Sequence, residues 1–267
     1  MDIKELTFSY SGKKFIENLS TTIEMGKVTT IIGPNGSGKS TLLNLIVKQL
    51  VPKSGQVILD GKNLADSSYK ELSKQLAIVH QYNHAPADLT VERLVGYGRS
   101  PYQRFWSSKG SGDEEIIKWS LKVTRLEQIA QKPVSQLSGG ERQRAWIAMA
   151  LAQKTKVLLL DEPTTYLDIY YQLEILALVK ELNETYGITV VMVLHDINQA
   201  IQFSHNVIIM KNGTIHYSGS VQDGITRERL REVYGIHARI GWCEFNKCPY
   251  IVPILQQDQI KVQEGKS

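Results

Sequence analysis

The segment Gly33-Pro34-Asn35-Gly36-Ser37-Gly38-Lys39-Ser40 has the spacing G-x-x-x-x-G-K-[ST], and each residue type in it has a use around a polyphosphate. Glycines let the backbone curl with its N–H groups turned inward, a nest for anionic oxygens. The helix expected after it adds unpaired N–H groups and the positive end of its dipole. Lys39 is placed to reach the β- and γ-phosphates, and the Ser40 hydroxyl to ligate Mg2+. A second element, Asp161-Glu162, closes the apolar run Val157–Leu160. A carboxylate at the carboxyl end of a buried strand lies where open α/β sheets bind ligands, so Asp161 suits Mg2+. Glu162, expected to point the other way along the strand, is placed to polarise a water, assistance worth about 10²–10⁴ in rate. A flexible Gly/Ser turn and a surface acidic turn before Pro163 are the plainer readings of these segments. The full motif in its strand–loop–helix context favours nucleoside triphosphate binding over both.

Leu137-Ser138-Gly139-Gly140-Glu141-Arg142-Gln143-Arg144 is a third element. Ser138-x-x-Glu141 reads as a capping box that starts the helix carrying Trp146, Ile147 and Leu151. A cap does not need the two glycines, which leave the backbone bare enough for a phosphate to approach the helix N-terminus. A second phosphate site on one chain cannot serve the nucleotide held at Lys39 unless another copy supplies it. The pattern therefore suggests a dimer with each nucleotide sandwiched between two chains.

The elements that must position these residues follow from apolar periodicity. Alternation in Ile3–Tyr10 gives a strand, Ser11-Gly12-Lys13-Lys14 a turn and Phe15–Ile23 a second strand. The β-branched run Val28–Ile32 leads into the glycine-rich loop, after which Leu42, Leu45, Ile46 and Leu50 recur at helical spacing. Gln56–Leu59 followed by Asp60-Gly61 predicts a strand and a tight turn. From Asn83 to Ala152 the pattern is mainly helical, broken by a polar small-residue loop at Ser107–Gly112. Val157–Leu160 and Ile188–Leu194, separated by an amphipathic helix around Gln172–Leu182, predict buried strands of a parallel sheet covered by helices. Val207–Met210, Asn212-Gly213 and Thr214–Tyr217 predict a hairpin; beyond Val221 a short helical pattern gives way to an ambiguous, mostly polar end. No internal repeat is present.

The chain has 267 residues, 42% of them hydrophobic and 22% charged, as expected of one large globular domain or two small ones. Its apolar runs fall far short of the roughly 20 residues needed to cross a bilayer, and Met1-Asp2-Ile3-Lys4-Glu5 lacks a signal-peptide core. The expectation is a cytoplasmic protein with no membrane span of its own. The 31 basic less 27 acidic residues leave +4, with no dense Lys/Arg block, so nucleic acid is not expected as a partner. Cys243 and Cys248 are too few for a metal site, and a cytosolic chain seldom keeps a structural disulfide; they read as incidental thiols.

In the order and spacing of these motifs, Met1 to about Ser220 closely resembles the ATPase subunits of ABC transporters. Leu137–Glu141 resembles their LSGGQ signature, with Glu141 in place of the usual final Gln. The resemblance implies an α/β fold: a RecA-like P-loop NTPase core, mostly parallel sheet plus an N-terminal antiparallel β part, with a helical insert. It places the core at residues 1–81 and 153–225, the α-helical signature subdomain at 82–152 and a tail of no assigned role at 226–267. It implies ATP hydrolysis with Glu162 and His195 as catalytic residues. Tyr10 is implied as the aromatic stacking on adenine, residues 33–40 with Thr41 as the ATP site, and Ser138, Gly139, Gly140 and Glu141 as ATP contacts made in trans. Gln81 resembles the Q-loop glutamine that meets Mg2+ with Ser40 and Asp161 and senses the permease. Asp168, in Thr165-Tyr166-Leu167-Asp168, resembles the D-loop residue that communicates across the dimer, and His195 the switch histidine at the γ-phosphate.

A narrower resemblance lies in Val95-Gly96-Tyr97-Gly98-Arg99-Ser100-Pro101-Tyr102 and in the Tyr after Thr165, which are similar to importers of ferric siderophores, haem and cobalamin. It implies an iron chelate as cargo, with haem, cobalamin or another metal complex as alternatives. The implied partners are a second copy, integral-membrane permease subunits and, indirectly, an extracytoplasmic binding protein, with the chain peripheral on the cytoplasmic face of the membrane. A plain solvated Gly/Pro turn is the competing reading of Tyr97–Tyr102. DNA-repair members of the family carry a long coiled coil between the nucleotide motifs and ribosome-acting members usually two cassettes; neither pattern occurs here. A P-loop kinase has no use for the signature segment.

Overall fold

The computed structural model describes residues 1–10, 12–103 and 111–254. The polar loop expected at Ser107–Gly112 therefore lies mostly outside the described residues. The chain forms two compact units, one of Met1–Asn63 with the chain from Val193 onward, the other Leu64–Met192.

In the first unit the meander expected at the start is present. Strand β1 (Asp2–Tyr10) pairs antiparallel with β2 (Lys13–Thr22), and on its other side with a later strand. The buried β3 (Val28–Ile32) runs into the glycine-rich loop and helix α1 (Lys39–Ile46); β4 (Ser54–Leu59) is β1's second partner, with the short β5 (Lys62–Asn63) beside it. Every residue of β3 is buried, as a strand covered on both faces requires.

The second unit carries the short helix α2 (Tyr69–Leu72) and strand β6 (Leu76–Val79), then helices α3 (Val91–Tyr97), α4 (Ser111–Val123) and α5 (Gly139–Ala152). Strand β7 (Val157–Leu160), helix α6 (Ile169–Tyr186) and strand β8 (Thr189–Val193) follow. Strands β6, β7 and β8 pair parallel and in order, with Leu76 opposite Val157 and Val157 opposite Thr189. The unit thus holds both the helical stretch and three parallel strands.

Arg99 is the keystone among its helices. Its guanidinium, only 6% exposed, donates from Nε to Asp113 at 2.7 Å and from Nη1 to the Ala152 carbonyl at 2.7 Å. Tyr102 lies over it at 4.0 Å and donates to the Gln153 carbonyl, and a Cβ on Gly98 would lie 2.1 Å from the Met149 carbonyl. Gly98–Tyr102 is therefore a packed corner against the end of α5 and not a solvated turn. That packing accounts for its glycine, arginine and distal tyrosine without any appeal to cargo; Tyr97, at 57% exposure, is not so explained.

The first unit resumes with helix α7 (Ile197–Phe203) and the hairpin β9 (Asn206–Lys211)–β10 (Thr214–Ser220), β9 lying parallel to β3. Helices α8 (Val221–Gly224) and α9 (Arg227–Tyr234) precede a second hairpin, β11 (His237–Cys243) and β12 (Cys248–Ile254). The sequence left this end ambiguous because Pro249, Gly241 and the charged residues blur the alternation. Among the described residues no helix is long and apolar enough to cross a membrane.

Removing one member of a buried ion pair strands the other in a poor dielectric. Asp113→Ala should lower unfolding free energy by about 3–5 kcal/mol, read from urea denaturation; a loss within experimental error would show that Asp113 does not hold the Arg99 corner together.

Candidate nucleotide-binding site

In the first unit the backbone of the loop is built for close approach. Gly36 and Gly38 have φ of 76° and 104°, values an L side chain resists, and Gly38 caps α1 with Leu42 N–H donating to its carbonyl at 2.9 Å. The Lys39 ammonium is held across this loop, donating to the carbonyls of Gly33 at 2.9 Å and Pro34 at 3.1 Å, and its side chain is buried. Ser40 sits at the second helical position and Thr41 in the first turn, where the Thr41 hydroxyl lies 3.3 Å from the Tyr10 phenol. Tyr10 is wedged edge-on between Phe8 and Phe15 and stays 46% exposed, a fixed ring beside the start of α1.

The loop has a brace the sequence reading missed. The turn Asn212-Gly213, with φ of 50° and 77°, sends its Gly213 N–H to the Ser37 carbonyl at 3.0 Å. A Cβ on Gly213 would lie 1.7 Å from the Phe15 carbonyl, and one on Gly33 2.2 Å from that of Met210. The Asn-Gly dipeptide signalled a hairpin turn; nothing in it signalled what the turn touches. His195 is exposed just before Asp196, whose carboxylate caps α7 by accepting from Gln199 N–H at 3.0 Å.

In the second unit Asp161 is 7% exposed beyond the end of β7, its N–H donating to the Val79 carbonyl at 2.9 Å. Glu162 differs from expectation: the strand ends at Leu160, and Glu162 takes a left-handed φ of 52°. Its carboxylate accepts from Gln81 Nε2 at 2.5 Å and Thr165 Oγ1 at 3.1 Å. The carboxylate expected to polarise a water is thus already engaged by Gln81. Left-handed backbone at a non-glycine residue stores about 1–3 kcal/mol, and Tyr166, at φ 63°, repeats it four residues on. Tyr82 and Tyr166 meet through their hydroxyls at 3.0 Å, a second tie between the two segments. Asp168 is exposed and stands at the N-cap of α6 without a side-chain cap bond.

The expected capping box is present. Ser138 Oγ accepts from Glu141 N–H at 3.3 Å and Glu141 Oε2 from Ser138 N–H at 2.8 Å, with Lys132 Nζ at 3.9 Å. The Ser138 N–H, more than the lysine, holds the Glu141 carboxyl below the usual carboxylate range against a smaller desolvation cost. The two glycines separate in role. Gly139 is exposed at the helix start, whereas a Cβ on Gly140 would lie 2.5 Å from the Tyr171 ring. Close packing on α6 explains Gly140; the bare backbone at Gly139 is what an incoming phosphate would meet.

The donors assigned to a metal are the Ser40 hydroxyl, the Asp161 carboxylate and the Gln81 amide oxygen. This all-oxygen set fits Mg2+, which takes one or two carboxylates and completes its shell with water and substrate phosphate.

A glycine loop on a helix N-terminus, a buried lysine across it and a buried aspartate beyond a parallel strand define a phosphate-loop nucleoside triphosphatase. The matching family model is more particular: residues 16–165 match the ABC transporter family, and the chain belongs to that family. It is 45% identical over 240 residues, 90% of this chain and 89% of the relative, to the iron(3+)-hydroxamate import ATP-binding protein FhuC of Bacillus subtilis (strain 168). Among solved structures, a chain of an inward-facing metal-chelate type ABC transporter superposes with a TM-score of 0.83 at 25% identity, over 96% of this chain and 98% of that one. The ATP-binding cassette MJ0796, a dimer in a post-hydrolysis state bound to ADP and Pi, gives 0.70 at 32% identity, over 82% and 98%. The protein is an ABC-type ATPase.

The lowered pKa of Glu141 gives its box a pH signature. A carboxyl whose folded pKa lies below its unfolded value, about 4.3, stabilises above that value and loses the contribution as pH falls through the folded pKa. Glu141→Gln keeps a box but no charge, so wild type should exceed it by about 0.3–1 kcal/mol at neutral pH. The gap should narrow as pH falls below the unfolded value; chemical denaturation across that range checks it, and a gap independent of pH would refute the charged contribution.

Proposed function

We propose that this chain is the ATP-hydrolysing subunit of an ABC importer for an iron chelate such as a ferric siderophore. It would act as one of two copies on the cytoplasmic face of the membrane, against integral-membrane permease subunits and, through them, an extracytoplasmic binding protein. The observation that carries the reading is the Lys39 loop: buried lysine, left-handed glycine backbone at Gly36 and Gly38 and α1 starting directly after it. The name of the FhuC relative supports iron(3+) chelates as the class of cargo. Haem, cobalamin or another metal complex fits the same engine, because nothing in an ATPase subunit reads the cargo itself.

In this reading Lys39 exchanges the Gly33 and Pro34 carbonyls for β- and γ-phosphate oxygens, while backbone N–H groups of the loop, those of Gly36 and Gly38 among them, meet the same phosphates. Tyr10 offers its exposed ring to the adenine, steadied by the Thr41 hydroxyl. Ser40, Asp161 and Gln81 would hold Mg2+, which supplies charge neutralisation at the β- and γ-oxygens. The Gln81–Glu162 hydrogen bond then has a mechanistic meaning. Gln81 turning away toward its other duty releases Glu162 to accept a water proton, with His195 positioned on the γ-phosphate. Ser138 and Gly139 of a second copy close over the same phosphates, with Gly140 and Glu141 setting the helix end, and Asp168 lies at the approach between copies. Differential affinity of ATP for the closed dimer supplies the work.

In this reading the permease contact is a groove of about 710 Å³ in the second unit, lined by Leu89, Arg93, Gly96, Tyr97, Ser100 and Ile117. It joins the exposed Tyr97 to the corner held by Arg99, so a force on the groove is carried through rigid packing.

Lys39→Ala should abolish ATP binding or hydrolysis, measured by nucleotide binding and phosphate release; unchanged turnover would end the phosphate-loop assignment. Glu162→Gln should bind ATP yet hydrolyse it at least about a hundredfold more slowly, as loss of a general base requires. It should also accumulate as an ATP-bound dimer on size-exclusion chromatography. A variant that stays monomeric with ATP would count against the sandwich, and one that keeps its rate against Glu162 as the base.

A further inference from the structure

The hairpin β11–β12 puts Cys243 directly opposite Cys248, on the last rung before the turn 244–247. Directly opposed residues of an antiparallel pair have Cα atoms about 4.5–5.5 Å apart, inside the window of about 4.4–6.8 Å that a disulfide spans. Strand alternation sets both cysteines on the face that carries Arg239, Tyr250 and Val252, all exposed. The opposite face buries Ala238 and Ile251. The two thiols are free and half-buried, open to a small reagent without being loose on the surface. Burial first, then the charge of a nearby Cys243 thiolate, pushes the Cys248 thiol up, which places the two sulfurs within electrostatic reach of each other.

The hairpin is also fastened to a functional helix. Asn198 in the first turn of α7 donates from Nδ2 to the Ile251 carbonyl at 3.1 Å and accepts the Ile251 N–H on Oδ1 at 2.8 Å. Three residues along β12 from Cys248, this double hydrogen bond clamps the sheet to the helix that begins just after His195. Four turn residues, with Lys247 at φ 50° and Phe245 94% exposed, are all that separate the cysteines.

We infer that Cys243 and Cys248 form a reversible dithiol–disulfide site, oxidised by exchange with a low-molecular-weight disulfide, and that its closure stiffens the hairpin clamped to α7. The Cys243 thiolate attacks one sulfur of glutathione disulfide, forming a mixed disulfide and expelling one glutathione thiolate. The Cys248 thiolate then attacks the protein sulfur of that bond, forming the intramolecular disulfide and expelling the second. The protein loses two electrons and two protons, and two glutathione thiols carry them away. The inference goes beyond the ATPase reading and stands whether or not the roles of Lys39 and Glu162 hold.

The test uses the full chain, reduced and then incubated with glutathione disulfide. Intact mass spectrometry should show a product lighter by two hydrogens with no glutathione adduct, and peptide mapping a Cys243–Cys248 link that dithiothreitol reverses. Amide exchange across β11, β12 and the Ile251 N–H should slow several-fold on oxidation and recover on reduction. Cys243→Ser should instead keep one stable glutathione adduct on Cys248, with unchanged exchange. A persistent adduct on the wild-type chain, disulfides between chains, or a closed link that leaves exchange unaltered would each overturn the inference.

Discussion

A tight left-handed path at Gly36 and Gly38, immediately before a helix, is the constraint from which the rest of the nucleotide half follows. The two glycines carry no side chains to fix such a path, so it is held by the Lys39 ammonium on the Gly33 and Pro34 carbonyls and, from outside, by backbone. The Asn212-Gly213 turn does this by donating to Ser37, and the carbonyls of Met210 and Phe15 leave room for nothing larger than hydrogen at Gly33 and Gly213. The loop of one segment is thus shaped by a turn that lies far along the chain. Folding of β9–β10 is a precondition of this loop shape, which is set before any phosphate would arrive. Preorganisation of this kind is what makes oriented backbone dipoles effective, because no reorganisation remains to be done when charge arrives.

The second helix N-terminus, at Gly139, is organised on the opposite plan. Its donors are partly used within the chain: the Glu141 amide bonds Ser138 Oγ, and the Glu141 carboxylate answers the Ser138 N–H. A carboxylate beside a would-be phosphate contact adds negative charge where a neutral glutamine would not. The depressed pKa shows that this charge is stabilised locally by the Ser138 N–H, with Lys132 contributing. The substitution of Glu for the usual Gln is therefore a paired feature of the capping box and its basic neighbour, and it keeps the geometry while changing the field.

What was legible in the sequence was whatever is written in contiguous residues. The loop 33–40, the box at 138–141 and the apolar strands at 157–160 and 188–194 have fixed spacings that local physics converts into nests, caps and buried strands. What escaped was whatever depends on a partner distant in sequence. Gly140 looks like a second bare glycine but is small because Tyr171 sits on it, and Gly98–Tyr102 looks like a recognition turn but is packed on α5 around Arg99. The left-handed turn at Glu162 was illegible for a different reason: the strand pattern runs smoothly to Leu160, and only the folded backbone shows where it stops. The tail failed as a reading because alternation in β11–β12 is interrupted by Gly241, Pro249 and Pro253, so its hairpin is specified by packing on α7 and α9 more than by its own pattern.

The strained corner at Glu162 links these observations to mechanism. A carboxylate whose Oε2 accepts from both Gln81 and Thr165 is well fixed, and that oxygen is already occupied by protein donors. Left-handed backbone at Glu162 and Tyr166 stores energy in the same few residues, and the Tyr82–Tyr166 contact ties that segment to the residue after Gln81. Under the proposed function, in which Gln81 senses the permease and Glu162 is the base, this hydrogen bond would make hydrolysis conditional: displacement of Gln81 would free the carboxylate, and an ATPase without its membrane partner would be kept from wasting ATP.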